Sequence, residues 1–233
     1  MSVAGLHLLQ LVSPALPVGA FSYSEGLEVL VQRGDISTAK ALQDWLEAEL
    51  TRGGIRIEAA ALGPLQEALR EHQLMATAGA ESDDAQLARG ALIDLDGWLL
   101  AQREASELRA QQRQMGRSLL QLLAQLGWPL QPEGELAWPA AWAWAGLCLE
   151  IPLPDLVEAY LYGWCANQIS AAVRLVPLGP TQGQRLQLAL APLLVERGRE
   201  LAIADPREQW SGGIGSGLCQ LHHAELYSRL FRS

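Results

Sequence analysis

Three side chains near one end of the sequence have metal-ligand chemistry: Cys219, His222 and His223. Thiolate and imidazole suit nickel or zinc. The set is incomplete, because a held ion needs a defined ligand number and geometry. Adjacent residues 222 and 223 also point to different sides of any regular element. The expectation is that these histidines contact a partner, with direct metal binding by the trio as the alternative. Other reactive patterns are thinner. Gly213-Ile-Gly-Ser-Gly217 follows no strand and lacks the dinucleotide-binding spacing. No Gly-x-Ser-x-Gly nucleophile turn stands in a strand–turn–helix context. Asp94 and Asp96 lie two apart and so do not face each other on a helix. The one lysine among 17 basic residues, Lys40, sits in Thr38-Ala39-Lys40-Ala41, so no phosphate-binding P-loop is present. Nucleotide chemistry, if involved, has to come from a partner. A helical enzyme with an unadvertised acid–base site is the competing class, and it predicts turnover by the isolated chain.

Recognition chemistry is richer. Ser13 to Glu28 holds Pro14 and Pro17, which stiffen a loop. Ser22 and Glu25 then have capping-box spacing and predict a helix start. Tyr23, Glu25 and Glu28 offer a polar face to a partner. Arg109, Arg113 and Arg117 recur every four residues and share one helix face. Gly116 within that helix costs about 1 kcal/mol relative to alanine, which predicts a close helix–helix approach. Arg174 precedes a turn built from Pro177, Gly179 and Pro180, after which Thr181 and Gln184 have capping-box spacing again. Asn167, Gln168 and Ser170 sit in an apolar helix and need hydrogen-bond partners if buried. At the end, Arg229 and Arg232 bracket Leu230 and Phe231, a combination typical of interface anchors.

These groups must be positioned by helices. Leu42, Trp45, Leu46 and Leu50 form one stripe, with Ser37 as the expected N-cap. Leu108, Met115, Leu119, Leu122 and Leu126 form another, stopped by Gly127 and Pro129. Leu153 to Trp164 forms a third, opened by Pro154 and Asp155. No stretch alternates apolar and polar residues convincingly. The fold class expected is all-α, a single compact domain of about eight to ten helices. The core spans 1–204, and 205–233 is a glycine-rich flexible connector and C-terminal docking tail, ordered conditionally. Gly79 to Asp84 reads as an exposed polar link.

The 233 residues, 49% hydrophobic, can bury a sizeable core without disulfides. Three cysteines, Cys148, Cys165 and Cys219, are not a disulfide framework, and a reducing cytoplasm fits them. A net charge of −9 argues against nucleic acid as a partner. The apolar stretch Val3 to Val12 has no preceding Lys or Arg, which argues against a signal peptide. Ala137 to Leu149 is too short to span a membrane.

Four segments together resemble the urease accessory protein UreF family. Leu8 to Glu28 is similar to its N-terminal signature, and Glu104 to Ser118, with Gln-Met-Gly-Arg-Ser, to its middle motif. Arg174 to Gln184 resembles its Pro-Leu-Gly turn, and Ser228 to Ser233 its terminal hexapeptide. Ala20 departs from a common glycine, Arg174 from a frequent lysine, and Ala224 from an expected glutamate beside His223. The resemblance implies a non-enzymatic, homodimeric scaffold that binds UreD (also called UreH) and recruits and modulates the GTPase UreG. It also implies docking on apo-urease, so that nickel is handled by the complex and no cofactor is held stably. His223, Arg229, Phe231 and Arg232 are the residues expected to dock on UreD. Tyr23, Glu25 and Arg174 are expected at the GTPase- or urease-facing surface.

Overall fold

The computed structural model describes residues 2–77, 83–130 and 135–233. Ten α-helices and no strands occur among them: α1 (Val3–Leu11), α2 (Leu27–Gln32), α3 (Ala39–Arg52), α4 (Ile55–Thr77), α5 (Asp83–Ala101), α6 (Ser106–Gln125), α7 (Trp138–Cys148), α8 (Leu153–Leu175), α9 (Pro180–Leu201) and α10 (Ile214–His223). The all-α, single-domain expectation holds. None of the helices is long and apolar enough to cross a membrane, among the described residues.

Helix α4 is the centre of the packing and touches α3, α5, α7, α8 and α9. Its Ala59, Ala60, Ala61, Leu62, Leu65 and Leu69 are buried, and the small side chains let neighbouring helices approach. The pairs α8 with α9 and α6 with α7 pack along their lengths. Helix α7 carries no charge and buries eight of its eleven residues. Gly116 of α6 explains how closely α7 is approached. A Cβ there would lie 2.3 Å from the Leu136 carbonyl oxygen and 2.7 Å from the Ala137 carbonyl carbon.

Local signals set most boundaries. Gly127 takes φ +99°, and the N–H groups of Gly127 and Trp128 donate to Ala124 O and Leu123 O, which closes α6 in a Schellman motif. Three start signals differ from expectation. Thr38, not Ser37, caps α3, its Oγ1 accepting from Ala41 N at 3.1 Å. Helix α9 begins at Pro180, and Gln182 rather than Gln184 reaches back to the Gly179 N–H, at 3.0 Å. Ser22 and Glu25 form no capping box: Ser22 ends a 3-10 turn (Ala20–Ser22), and α2 starts after Gly26. Most of the expected polar link at 79–84 lies outside the described residues; Asp83 and Asp84 form the acidic first turn of α5.

Residues 205–233 lie against the helical body. Arg207 pairs with Asp94 at 2.7 Å and stacks over Trp98, 5.0 Å from the ring centre. Gly212 N donates to Arg52 O at 2.8 Å, and Arg56 donates to Gln209 Oε1 at 2.7 Å. Helix α10 then packs on α2.

Candidate functional site

The segment 22–28 has an unusual backbone. Glu25 and Gly26 are consecutive left-handed residues, with φ of +51° and +88°. Such a conformation is strained for glutamate and needs its surroundings to hold it. Here it turns successive N–H groups toward one acceptor. Ser24 N and Glu25 N donate to Ser233 O at 2.6 and 3.1 Å, and Ser24 Oγ donates to the same oxygen at 2.8 Å. Arg232 N donates to Ser22 O at 2.9 Å. A side chain at Gly26 would be strained by its left-handed φ and crowded as well, with a Cβ 3.1 Å from Gln220 N of α10.

Glu28 continues the docking. Its Oε1 accepts from Leu230 N at 2.7 Å and its Oε2 from Phe231 N at 3.1 Å. Phe231 is buried, and the Arg174 guanidinium covers its ring at 4.5 Å while donating to Phe21 O at 3.2 Å. His223 is fully buried between two carboxylates, with Nε2 3.2 Å from Glu28 and Nδ1 3.0 Å from Glu107. Each ring nitrogen thus has a carboxylate for its partner. Arg229 completes this layer by donating to Glu107 at 2.7 Å.

A second polar layer lies beneath. Gln111 of α6 donates to Glu25 at 2.8 Å and accepts from Ser233 Oγ at 2.6 Å. Trp164 donates to the other Glu25 oxygen at 3.0 Å, and Asn167 donates to Tyr23 O at 3.2 Å. Deeper still, Glu58 of α4 accepts from Arg103 at 2.6 and 2.8 Å, from Gln112 at 3.1 Å and from Tyr160 at 2.8 Å. Burial opposes the charge on Arg103, but Glu58 and then Glu25 outweigh it and raise its pKa. Burial, then the Glu58 charge, pushes the Tyr160 hydroxyl well above the usual phenol value.

The four sequence motifs therefore meet in one place. Tyr23, Glu25, His223 and Phe231 are buried there; Arg174, Arg229 and Arg232 are exposed. Tyr23, Glu25 and Glu28 turn inward to their own chain. Among the arginines spaced by four, Arg113 and Arg117 are exposed, and Arg117 pairs with Glu135. Arg109 donates to the carbonyls of Arg103 and Glu104. Sequence reasoning missed Glu58, Arg103, Gln111 and Gln112. A usable signal was Glu58 itself, a lone carboxylate in the run Ile57 to Leu62.

The Cys219, His222, His223 trio is split. His222 is exposed, while both ring nitrogens of His223 face carboxylates. Burial pushes the Cys219 thiol up, and it pushes the Cys148 thiol to about 12, so neither is poised as a thiolate. Among the described residues no group of three or more His, Cys, Asp or Glu could hold a metal ion.

Helix α10 has its polarity reversed. It buries Cys219, Gln220 and His223 and exposes Ile214, Leu218 and Leu221, spaced at i, i+4 and i+7. Trp210, Tyr227 and Leu230 extend the exposed apolar surface along the same segment of chain. A helix that puts its apolar stripe in water is the pattern expected of one that lays that stripe against another protein.

A family model described as UreF matches residues 36–191. The urease accessory protein UreF of Prochlorococcus marinus is 35% identical over 231 residues, covering 97% of this chain and 98% of that protein. The protein of the same description from a Nostoc species is 41% identical over 233 residues, 98% of this chain and 95% of its own. The one from Microcystis aeruginosa is 42% identical over 231 residues, 98% of this chain and 97% of its own.

Proposed function

The chain belongs to the UreF family of urease accessory proteins, and from that premise we propose that it is a helical adaptor for loading nickel into apo-urease. It binds UreD/UreH, recruits and modulates the GTPase UreG, and acts in the cytoplasm as a homodimer. Nickel is cargo of the assembly and not a resident of this chain.

The observation that carries the reading is the reversed polarity of α10, with Ile214, Leu218 and Leu221 turned to solvent. That stripe, with Tyr227 and Leu230, is the surface offered to UreD. Arg232 adds a charged contact at its edge. His223, Phe231 and Arg229 support it by holding the tail in register: their own contacts run to Glu28, Arg174 and Glu107. Arg174, beside the Phe21 carbonyl, borders the surface offered to the GTPase or to urease, and Tyr23 and Glu25 shape it from beneath.

Co-expression with UreD tests this. A Leu218→Asp, Leu221→Asp double variant loses about 1.5–3 kcal/mol of burial per leucine. Co-purification should fall more than about 100-fold, while the helical circular dichroism of the isolated chain stays intact. Unchanged co-purification rejects α10 as the docking helix.

A further inference from the structure

A cavity of about 180 Å³ lies between the loop Leu11–Phe21 and helices α4, α6, α7 and α8. Its lining is mostly apolar and includes Leu16, Val18, Met115, Trp142 and Trp164. The polar groups at its edge are bonded within the chain. Glu25 accepts from Gln111 and Trp164, Glu58 accepts from Arg103, Gln112 and Tyr160, and Asn167 donates to Tyr23 O. A charged ligand therefore finds no open counter-group and would lose its hydration without return. What the cavity offers is shape and apolar surface. An apolar cavity of roughly 150 Å³ stays dry and takes up benzene.

Gly163 is a second, independent observation. Tyr160, Gly163, Asn167 and Ser170 recur along one face of α8, and all four line the cavity. Glycine inside a helix is less stable than alanine. Gly163 has no left-handed φ, and a Cβ there would meet no atom of another element within 4 Å. Neither the backbone nor the packing of this chain requires the glycine; its missing side chain keeps the space in front of α8 empty. Pro14, Phe21 and Ser170, which also line the cavity, are exposed and mark its mouth. Aromatic rings pack favourably edge-to-face or offset against other rings, and a thioether adds to this at a ring edge. We propose that this cavity binds a neutral aromatic group, a single ring or an indole, held among Met115, Trp142, Tyr160 and Trp164. Two sources share that chemistry: a free small aromatic molecule, or a phenylalanine or tryptophan side chain inserted by a partner protein.

The test is titration of the full, isotope-labelled chain with toluene and with indole, followed by the Trp164 indole N–H resonance assigned through Trp164→Phe. Benzoate and benzylammonium are the charged controls, and cyclohexanol is the neutral control without a π-face. Saturable binding of indole or toluene is expected with a Kd of about 1 mM or tighter, and each control should bind weaker by about tenfold or more. Gly163→Leu fills the space and should weaken the better ligand by about tenfold or more. Gly163→Ala keeps the test decisive if Gly163→Leu fails to fold: its methyl group should raise the urea midpoint and weaken binding about threefold. Capped phenylalanine and capped tryptophan separate the sources: binding as tight as toluene or indole assigns a partner's side chain, and loss of binding assigns a free molecule. No saturation by toluene or indole overturns the proposal. So does a control that binds as tightly, or binding unaltered in both Gly163 variants.

Discussion

Helices α7 and α10 sit in the same molecule and are built on opposite plans. Helix α7 is apolar all round and is swallowed by its neighbours. Helix α10 turns Gln220 and His223 inward and Leu218 and Leu221 outward. The first plan relies on burial of apolar area, which is non-directional. The second relies on one-to-one partners: His223 with Glu28 and Glu107, Arg229 with Glu107, and Glu28 with two backbone N–H groups. Such contacts set register accurately, but each is lost whole when one member is removed. An adaptor of the kind proposed would use both: a body that stays folded whatever it binds, and a docking element whose position is specified by a few replaceable contacts.

The contrast can be broken most severely from the apolar side. Leu161→Ala in α8 empties a site with no solvent exposure and should cost up to ~5 kcal/mol. Urea unfolding should show body and tail falling together. The next largest effect should stay local. His223→Gln takes away the ring that bonds both Glu28 and Glu107, at a cost of about 3 kcal/mol for the two contacts together. Native-state hydrogen exchange should quicken at Leu230 and Phe231 and stay unchanged in α4. Equal acceleration in α4 means the tail is part of the folding core, and the contrast fails.

The smallest effect tests a buried carboxyl at the start of α7. Asp96 accepts from Ala137 N at 2.9 Å at the start of that helix, and burial raises its pKa from 3.8 to about 6. The folded state therefore holds the proton more tightly than the unfolded one. This contribution is present below the ordinary value and is lost as the pH rises through about 6. Asp96→Asn should match the wild type near pH 4 and exceed its stability at pH 7 by roughly 2–3 kcal/mol. Parallel urea midpoints at both pH values would show that Asp96 carries no such penalty.

What was legible in the sequence was local or periodic. The leucine stripes placed α3, α6 and α8, and Gly116 marked the close approach to α7, whereas Gly90, Gly97 and Gly163 also lie within helices and face open space. The Ser22–Glu25 spacing misled because Glu25 bonds to Gln111, 86 residues away, and that tertiary contact overrode a local cap. Ser37 lost to Thr38 by one position, within the usual ambiguity of helix ends. The polar hub was half visible. The resemblance named Glu25, Arg174, His223 and Phe231, yet nothing in their spacing showed that they face one another. Glu58, Arg103 and Gln112 were hidden because polar residues in helices are usually solvated. Gln168, fully buried with both amide atoms unpaired within the protein, has no structural account.

The bond between Ser24 and Ser233 joins residues 209 positions apart. At the ordinary pace of about 5–20 residues per second, a ribosome needs roughly 10–40 s to travel that distance. Throughout that interval the loop 22–28 lacks the tail contacts that hold its left-handed turn. A nascent chain that stalls or is cut before Phe231 therefore leaves the loop without the partners that hold its turn.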